Sequence, residues 1–233
     1  MRLLEKWTND SNEQEKQAIR KRLYSCFHCI DPQNESYPFL QKAIDCLIRQ
    51  NILEYKGVPF LQVVPLVFIN HHRFYNNEIC EFLKEYVNGC KMNKQELNSC
   101  FCLFGILFFM YAGCDVSSSL DMLDDVVKKG VEQKLFDDVQ ISKKFRNNDL
   151  NSLVNMQNDT EYVLASTLWI FENEKRRCEA ERFFSRNLSD ILLLYDVFNG
   201  LMKGNDNLDY ASVEKNHILL KDFFNFCIKA CIG

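Results

Sequence analysis

The chain has 233 residues, 47% of them apolar and 13% aromatic, with a net charge of −4 from 28 Lys+Arg against 32 Asp+Glu. That content excludes a disordered or collagen-like chain, and the mixed charges, with no Lys/Arg block, leave no footprint for nucleic acid or a membrane surface. Only eight glycines and four prolines are present, and the prolines (Pro32, Pro38, Pro59 and Pro65) all precede residue 66. Sandwiches and barrels, which need turns with φ > 0 or fixed φ, are therefore disfavoured, and the expectation is one all-α, compact multi-helix domain over 1–233.

The earliest helical stretch is Gln17-Ala18-Ile19-Arg20-Lys21-Arg22-Leu23. An amphipathic helix follows, marked by Leu40, Ala43, Ile44, Leu47 and Ile48. The apolar segment 58–68 is compatible with short strands. Ile79, Phe82, Leu83, Tyr86 and Val87 share one helix face, and Gly89 can close that helix in the left-handed conformation. Asn93-Lys94-Gln95-Glu96 has the capping-box pattern, a cap residue with a carboxylate three residues on. The helix it opens is apolar nearly all round through Phe101, Leu103, Phe104, Ile106, Leu107 and Phe109 before Gly113, so it belongs in the centre of a bundle. The polar, Asn-rich stretch 140–158 reads as a long surface connection. Another helix begins near Asp159-Thr160, with Tyr162, Val163, Ser166, Thr167 and Ile170 at helical spacing. Ile191 to Met202 is strongly apolar and stopped by Gly204. A last helix runs through Ile218, Leu219, Phe223, Phe224, Cys227 and Ile228.

The longest apolar run, Phe101 to Ala112, is about twelve residues, whereas a bilayer needs about twenty. The first seven residues, Met1 to Trp7, carry no long apolar signal region. With eleven cysteines, an odd number, the expectation is a cytoplasmic, reducing setting with most thiols as small buried apolar groups. Cys26-Phe27-His28-Cys29 has the spacing that can hold zinc or exchange thiols, yet no second ligand pair stands at a compatible distance. His71-His72 cannot share one helix face and reads as a solvated turn. Asp124-Asp125 and Asp137-Asp138, near Lys128-Lys129, read as exposed helix charge. No Gly-rich phosphate loop, G-x-S-x-G elbow or kinase signature occurs.

Three segments in order carry a resemblance. Thr8-Asn9-Asp10-Ser11 stands first, and Gly57-Val58-Pro59-Phe60-Leu61-Gln62-Val63-Val64-Pro65-Leu66 second. The third is Glu161-Tyr162-Val163-Leu164-Ala165-Ser166-Thr167-Leu168-Trp169-Ile170-Phe171, followed by Asn187-Leu188-Ser189-Asp190 and Asn199-Gly200-Leu201-Met202-Lys203-Gly204. This succession, over about residues 8 to 210, resembles the ADP-ribosylglycohydrolase family, with 161–204 its most specific part. In that family a T-D-D-T motif opens one helix and N-x-G-G-D-x-D-T precedes another. Their acidic residues hold a pair of Mg²⁺ ions that orient ADP-ribose for cleavage of its glycosidic bond.

The resemblance implies a compact all-α fold with site positions at Thr8, Asn9, Asp10, Ser11 and Asp190. Asp10 would be the catalytic candidate, and Asp10 with Asp190 would be the metal ligands if Mg²⁺ is kept. The departures fall on the chemistry. Asn9 replaces an Asp, Leu192 and Leu193 stand where Asp and Thr are needed, Leu188-Ser189 replace two glycines, and Gln62 replaces Arg. Hard Mg²⁺ needs anionic oxygen, and Asn and Leu supply no anionic ligand. The expected function is a divergent, catalytically impaired or inactive family member that keeps ADP-ribose or protein-partner binding. The alternatives are an active Mg²⁺-dependent hydrolase, using Asn9, Asp10, Asp190 and Asp196 on an ADP-ribosylated protein, and an unrelated all-helical protein-interaction module.

Overall fold

In the computed structural model the described residues are 2–49, 60–70, 93–128, 145, 149–174, 178 and 182–232, with side chains described from residue 12 onward. All the regular elements among them are α-helices: α1 (Arg2–Cys29), α2 (Tyr37–Ile48), α3 (Phe60–Asn70), α4 (Lys94–Tyr111), α5 (Val116–Lys128), α6 (Leu150–Val154), α7 (Asp159–Glu172), α8 (Leu188–Lys203), α9 (Tyr210–Asn216) and α10 (Leu220–Ile232). The expected all-α bundle is what the chain forms, and among the described residues no helix is long and apolar enough to cross a membrane.

α4 occupies the centre, and its sequence explains why. Asn93 accepts from the Glu96 amide at 2.9 Å while Glu96 accepts from the Asn93 amide at 2.8 Å, the reciprocal box that satisfies two amides left open at a helix start. From Cys100 to Tyr111 every side chain except Gly105, which has none, is apolar and buried. Such a helix needs partners on every side, and α3, α5, α7 and α8 all pack on it. Gly113, at φ 102°, ends the segment in a conformation that a side chain would strain.

Segment 60–70 is helical where short strands were compatible with the sequence. Its β-branched run suits a strand by propensity, but Leu61 to Ile69 are all buried, as a helix packed among α2, α4 and α10 requires. Pro65 lies inside this helix, so the hydrogen bond its missing N–H would make is lost, and packing outweighs that loss.

α8 packs against α1 in antiparallel sense. Its start meets the loop after α1, its middle meets Cys26, and the chain just past its end meets Ser25, whose Oγ accepts from the Asn205 amide at 3.1 Å. Gly200 makes that approach possible: a Cβ there would sit 2.4 Å from the Cys26 Cα and 2.7 Å from the Ser25 carbonyl oxygen. On its other side α8 meets α7, where the Thr167 hydroxyl donates to the Val163 carbonyl at 2.8 Å and lies 3.4 Å from the Ile191 carbonyl oxygen.

The C-terminal helices seal the remaining face of α1. Arg20 lies over the Tyr210 ring at 4.5 Å and the Tyr24 ring at 5.2 Å, and it pairs with Glu214 at 3.6 Å. Tyr24 donates to the same Glu214 carboxylate. Within 140–158, Phe145 and Leu153 are buried, and 150–154 is a short helix capped by Asp149, so part of this polar stretch is anchored on the core.

Candidate functional site

The site positions divide between one place where side chains meet and one where only backbone is described. Residues 8–11 lie within α1, although the resembled motif opens a helix, and the side chains of Thr8, Asn9, Asp10 and Ser11 are outside the described residues. Asp10 stands nineteen positions before Cys29, the last residue of α1, which is about 28 Å of helical rise.

Asp190 lies at the other end of this path, in the first turn of α8, where a carboxylate is favoured by the helix dipole. It meets the loop that leaves α1 and opens α2. That loop is built from short polar links. The Asn34 amide bonds to the Asp31 carbonyl at 3.1 Å, the Asn34 side-chain oxygen accepts from the Ser36 amide at 2.8 Å, and the Tyr37 amide bonds to the Asn34 carbonyl at 2.9 Å. Asn and Ser in such turns mimic backbone turns with their side chains. The loop then grips α8: the Asn34 amide group donates to the Ser189 carbonyl at 3.0 Å, and the Ser36 and Ser189 hydroxyl oxygens are 2.9 Å apart.

Burial raises the Asp190 carboxyl above its ordinary range, and the neighbouring Ser36 hydroxyl draws it partly back. Ser36 holds the cap position of α2 but makes no capping bond with its side chain; its hydroxyl is committed to α8 instead. Sequence reasoning missed Asn34 and Ser36. The available signal was Ser36-Tyr37-Pro38, a cap residue with proline inside the first turn, which marks a helix start but not what that start faces.

The approach to α8 has unusual backbone. Asn187 has φ 53° and ψ 31°, and its side-chain nitrogen is buried with no hydrogen-bond partner. Arg186, one residue earlier, fixes the entering chain. It pairs with Asp159 at 3.1 Å, donates to the Met156 carbonyl at 2.6 Å and lies 4.3 Å over the Tyr162 ring. The Tyr162 and Trp169 positions of the resembled helix are both buried, each with its ring edge-on to Phe184. Gln62 is buried in α3.

Asp196 does not join Asp190. Six residues on a helix turn through about 240° and rise about 9 Å, and Asp196 lies beside Cys26, Cys29 and Lys203. Burial is the main cause that raises both thiols, with Asp196 adding to it. Cys26 is fully buried and Cys29 half-buried, at the C-terminal end of α1 where the helix dipole disfavours a thiolate. Cys26 thus fits the expectation of a buried apolar thiol.

Asp124 departs from expectation: it is buried at 7% exposure, not part of a solvated charged face, while Asp125 is exposed. Asp137-Asp138, His71-His72 and the 79–87 helix lie outside the described residues.

Among the described residues no group of three or more His, Cys, Asp or Glu side chains is arranged to hold a metal ion. The donor set where α2 meets α8 is one carboxylate, two hydroxyls and a carboxamide. It does not fit a pair of Mg²⁺ ions, which need several anionic oxygens between them. Compared with protein-family models, curated proteins and solved structures, the chain gives no match.

Proposed function

We propose that the chain is a catalytically silent ADP-ribosylglycohydrolase-like protein, whose cleft between the starts of α2 and α8 binds ADP-ribose or an ADP-ribosylated protein without cleaving it. The observation that carries this reading is the contact between the Ser36 and Ser189 hydroxyls, one residue from Asp190, which joins the opening of one helix to the opening of another. The resembled first motif, Thr8-Asn9-Asp10-Ser11, lies inside α1 and not at this contact, and the residues opening α2 are Ser36-Tyr37-Pro38-Phe39, with no carboxylate among them. Asp190 is a half-buried acidic group at this contact, while Asp31 and Glu35 of the adjoining loop are exposed. With one carboxylate the cleft can hydrogen-bond ribose hydroxyls, but it cannot offset two divalent ions.

A second reading is a protein-interaction scaffold with no small ligand. Phe39, in the first turn of α2 and 47% exposed, favours it as an aromatic side chain left to solvent.

A thermal-shift titration with ADP-ribose, with and without Mg²⁺, separates the readings. Ligand at 100 times its dissociation constant stabilises by about 2.7 kcal/mol, and Asp190→Ala should abolish the shift while Mg²⁺ leaves it unchanged. No shift at millimolar ADP-ribose removes the ligand reading and leaves the scaffold. Release of ADP-ribose from arginine-, serine- or poly-linked substrates, dependent on Mg²⁺, would overturn catalytic silence.

A further inference from the structure

We propose that His217 is an acid-released pin that holds the 30–36 loop against the start of α8. The proposal does not depend on what the cleft binds.

His217 lies in the turn between α9 and α10 and is only 3% exposed. Its Nδ1 is 2.5 Å from the Tyr37 hydroxyl, and the ring lies near the Phe27 backbone. Both aromatic neighbours meet it edge-on, Tyr37 at 5.1 Å and Phe27 at 5.5 Å between centroids. Phe27 is near the end of α1 and Tyr37 is the first residue of α2, so one imidazole spans both ends of the loop that carries Asn34 and Ser36. A neutral ring can keep Nδ1 as its acceptor, which matches the Tyr37 hydroxyl proton.

Protonation breaks this match. Nδ1 becomes a second donor and faces the Tyr37 O–H, so the hydroxyl must turn its proton away or leave. The new charge is also buried. The titratable groups facing the ring are Tyr37 from α2 and His28 from α1, and neither is an anion that could offset it. Burial is accordingly the main cause holding the ring neutral, down to about pH 4, with His28 adding to it. Once the ring is charged, Tyr37 is released, and Ser36 is withdrawn from Ser189 and Asp190.

The test is hydrogen exchange on the full chain from about pH 7 to about pH 3.5, corrected for intrinsic exchange, with the His217 ring followed by NMR. The amides of Asn34, Tyr37, Phe39 and Leu40 close the loop and first turn of α2. They should lose about tenfold or more of their protection with the midpoint of the His217 ring, while α7 amides keep theirs. His217→Asn retains an acceptor for Tyr37 without a titrating group and should lose the response. Loop amides that stay protected as the ring titrates, α7 amides that open together with the loop, or a His217→Asn protein that responds like wild type would each overturn the proposal. Where His217→Asn does not fold, Tyr37→Phe takes its place. Removing the hydroxyl removes the pin at every pH, so the loop amides should lose protection already at pH 7 and show no further step at the ring's midpoint; loop amides that keep the wild-type step refute the pin.

Discussion

The Tyr37 hydroxyl lies 2.5 Å from His217 Nδ1, across 180 residues of sequence. A buried histidine held neutral makes stability depend on pH in a defined direction. Its folded pKa is lowered from the ordinary 6.5 to about 4, mainly by burial. Between those values the unfolded chain binds a proton that the folded chain refuses. The contribution is complete above about 6.5, shrinks as pH falls, and is gone below about 4. It amounts to something on the order of 3 kcal/mol. Urea unfolding at a series of pH values should show the loss in wild type. The difference between wild type and His217→Asn should shrink over the same window.

Asp190 acts with the opposite sign. Burial raises its carboxyl, so the folded chain holds the proton more tightly than the unfolded chain does. Stability falls as pH rises from the ordinary carboxylate value through the raised one. Asp190→Asn should therefore be more stable than wild type at pH 7, with a flatter profile through the acid range, and should not respond to ADP-ribose. Ser36→Ala removes the bond to Ser189 and should cost about 1 kcal/mol. Chemical denaturation of the two variants side by side checks both directions.

Two helix-buried glycines separate a rigid neighbour from a yielding one. A Cβ at Gly200 meets backbone at 2.4 Å, whereas one at Gly105 meets the Leu123 Cδ1 at 2.6 Å, the far end of a flexible side chain. Gly200→Ala should cost about 3 kcal/mol or more, because α1 and α8 must move apart. Gly105→Ala should cost markedly less, since Leu123 can change rotamer. Similar midpoint shifts for the two variants would show that α8 is not wedged on Cys26.

Local order was legible in the sequence because its causes are local. The Asn93–Glu96 box lies within four residues, and the all-round apolar pattern of α4 announces burial without naming its partners. The end of α8 at Gly204 follows from one residue in the glycine-only backbone region. What was not legible depended on distant pieces. Segment 60–70 has the composition of a strand and became a helix because its neighbours cover every side. Thr8-Asn9-Asp10-Ser11 has the residue types of a helix-opening acidic motif. Which helix start faces Asp190, however, is set by the turn at 30–36 and by the packing of α8 on α1. Ser36 and Ser189 are 153 residues apart in sequence, and nothing in either neighbourhood names the other. Asp190 was singled out through the resemblance alone, and its place in the first turn of α8 is a local feature.

The backbone at Asn187 allows one more test, because strain and an orphaned polar group coincide there. Its φ of 53° lies in the left-handed region, and its side-chain nitrogen is buried without a partner. Asn enters this region more readily than most residues, whereas Ala pays a Cβ clash of about 1 kcal/mol. Glycine pays nothing in the folded state and also removes the unpaired amide, though it gives the unfolded chain more freedom. The backbone bond from the Ile191 amide to the Asn187 carbonyl, 3.1 Å long, survives either change. Asn187→Gly should therefore be as stable as wild type or more so. Asn187→Ala removes the same amide but keeps a Cβ at this φ, so it should be about 1 kcal/mol less stable than Asn187→Gly, which in a chain of this length is about 2–4 °C in melting temperature. Equal losses for Gly and Ala would mean that the Asn side chain, not the φ angle, sets the entry into α8.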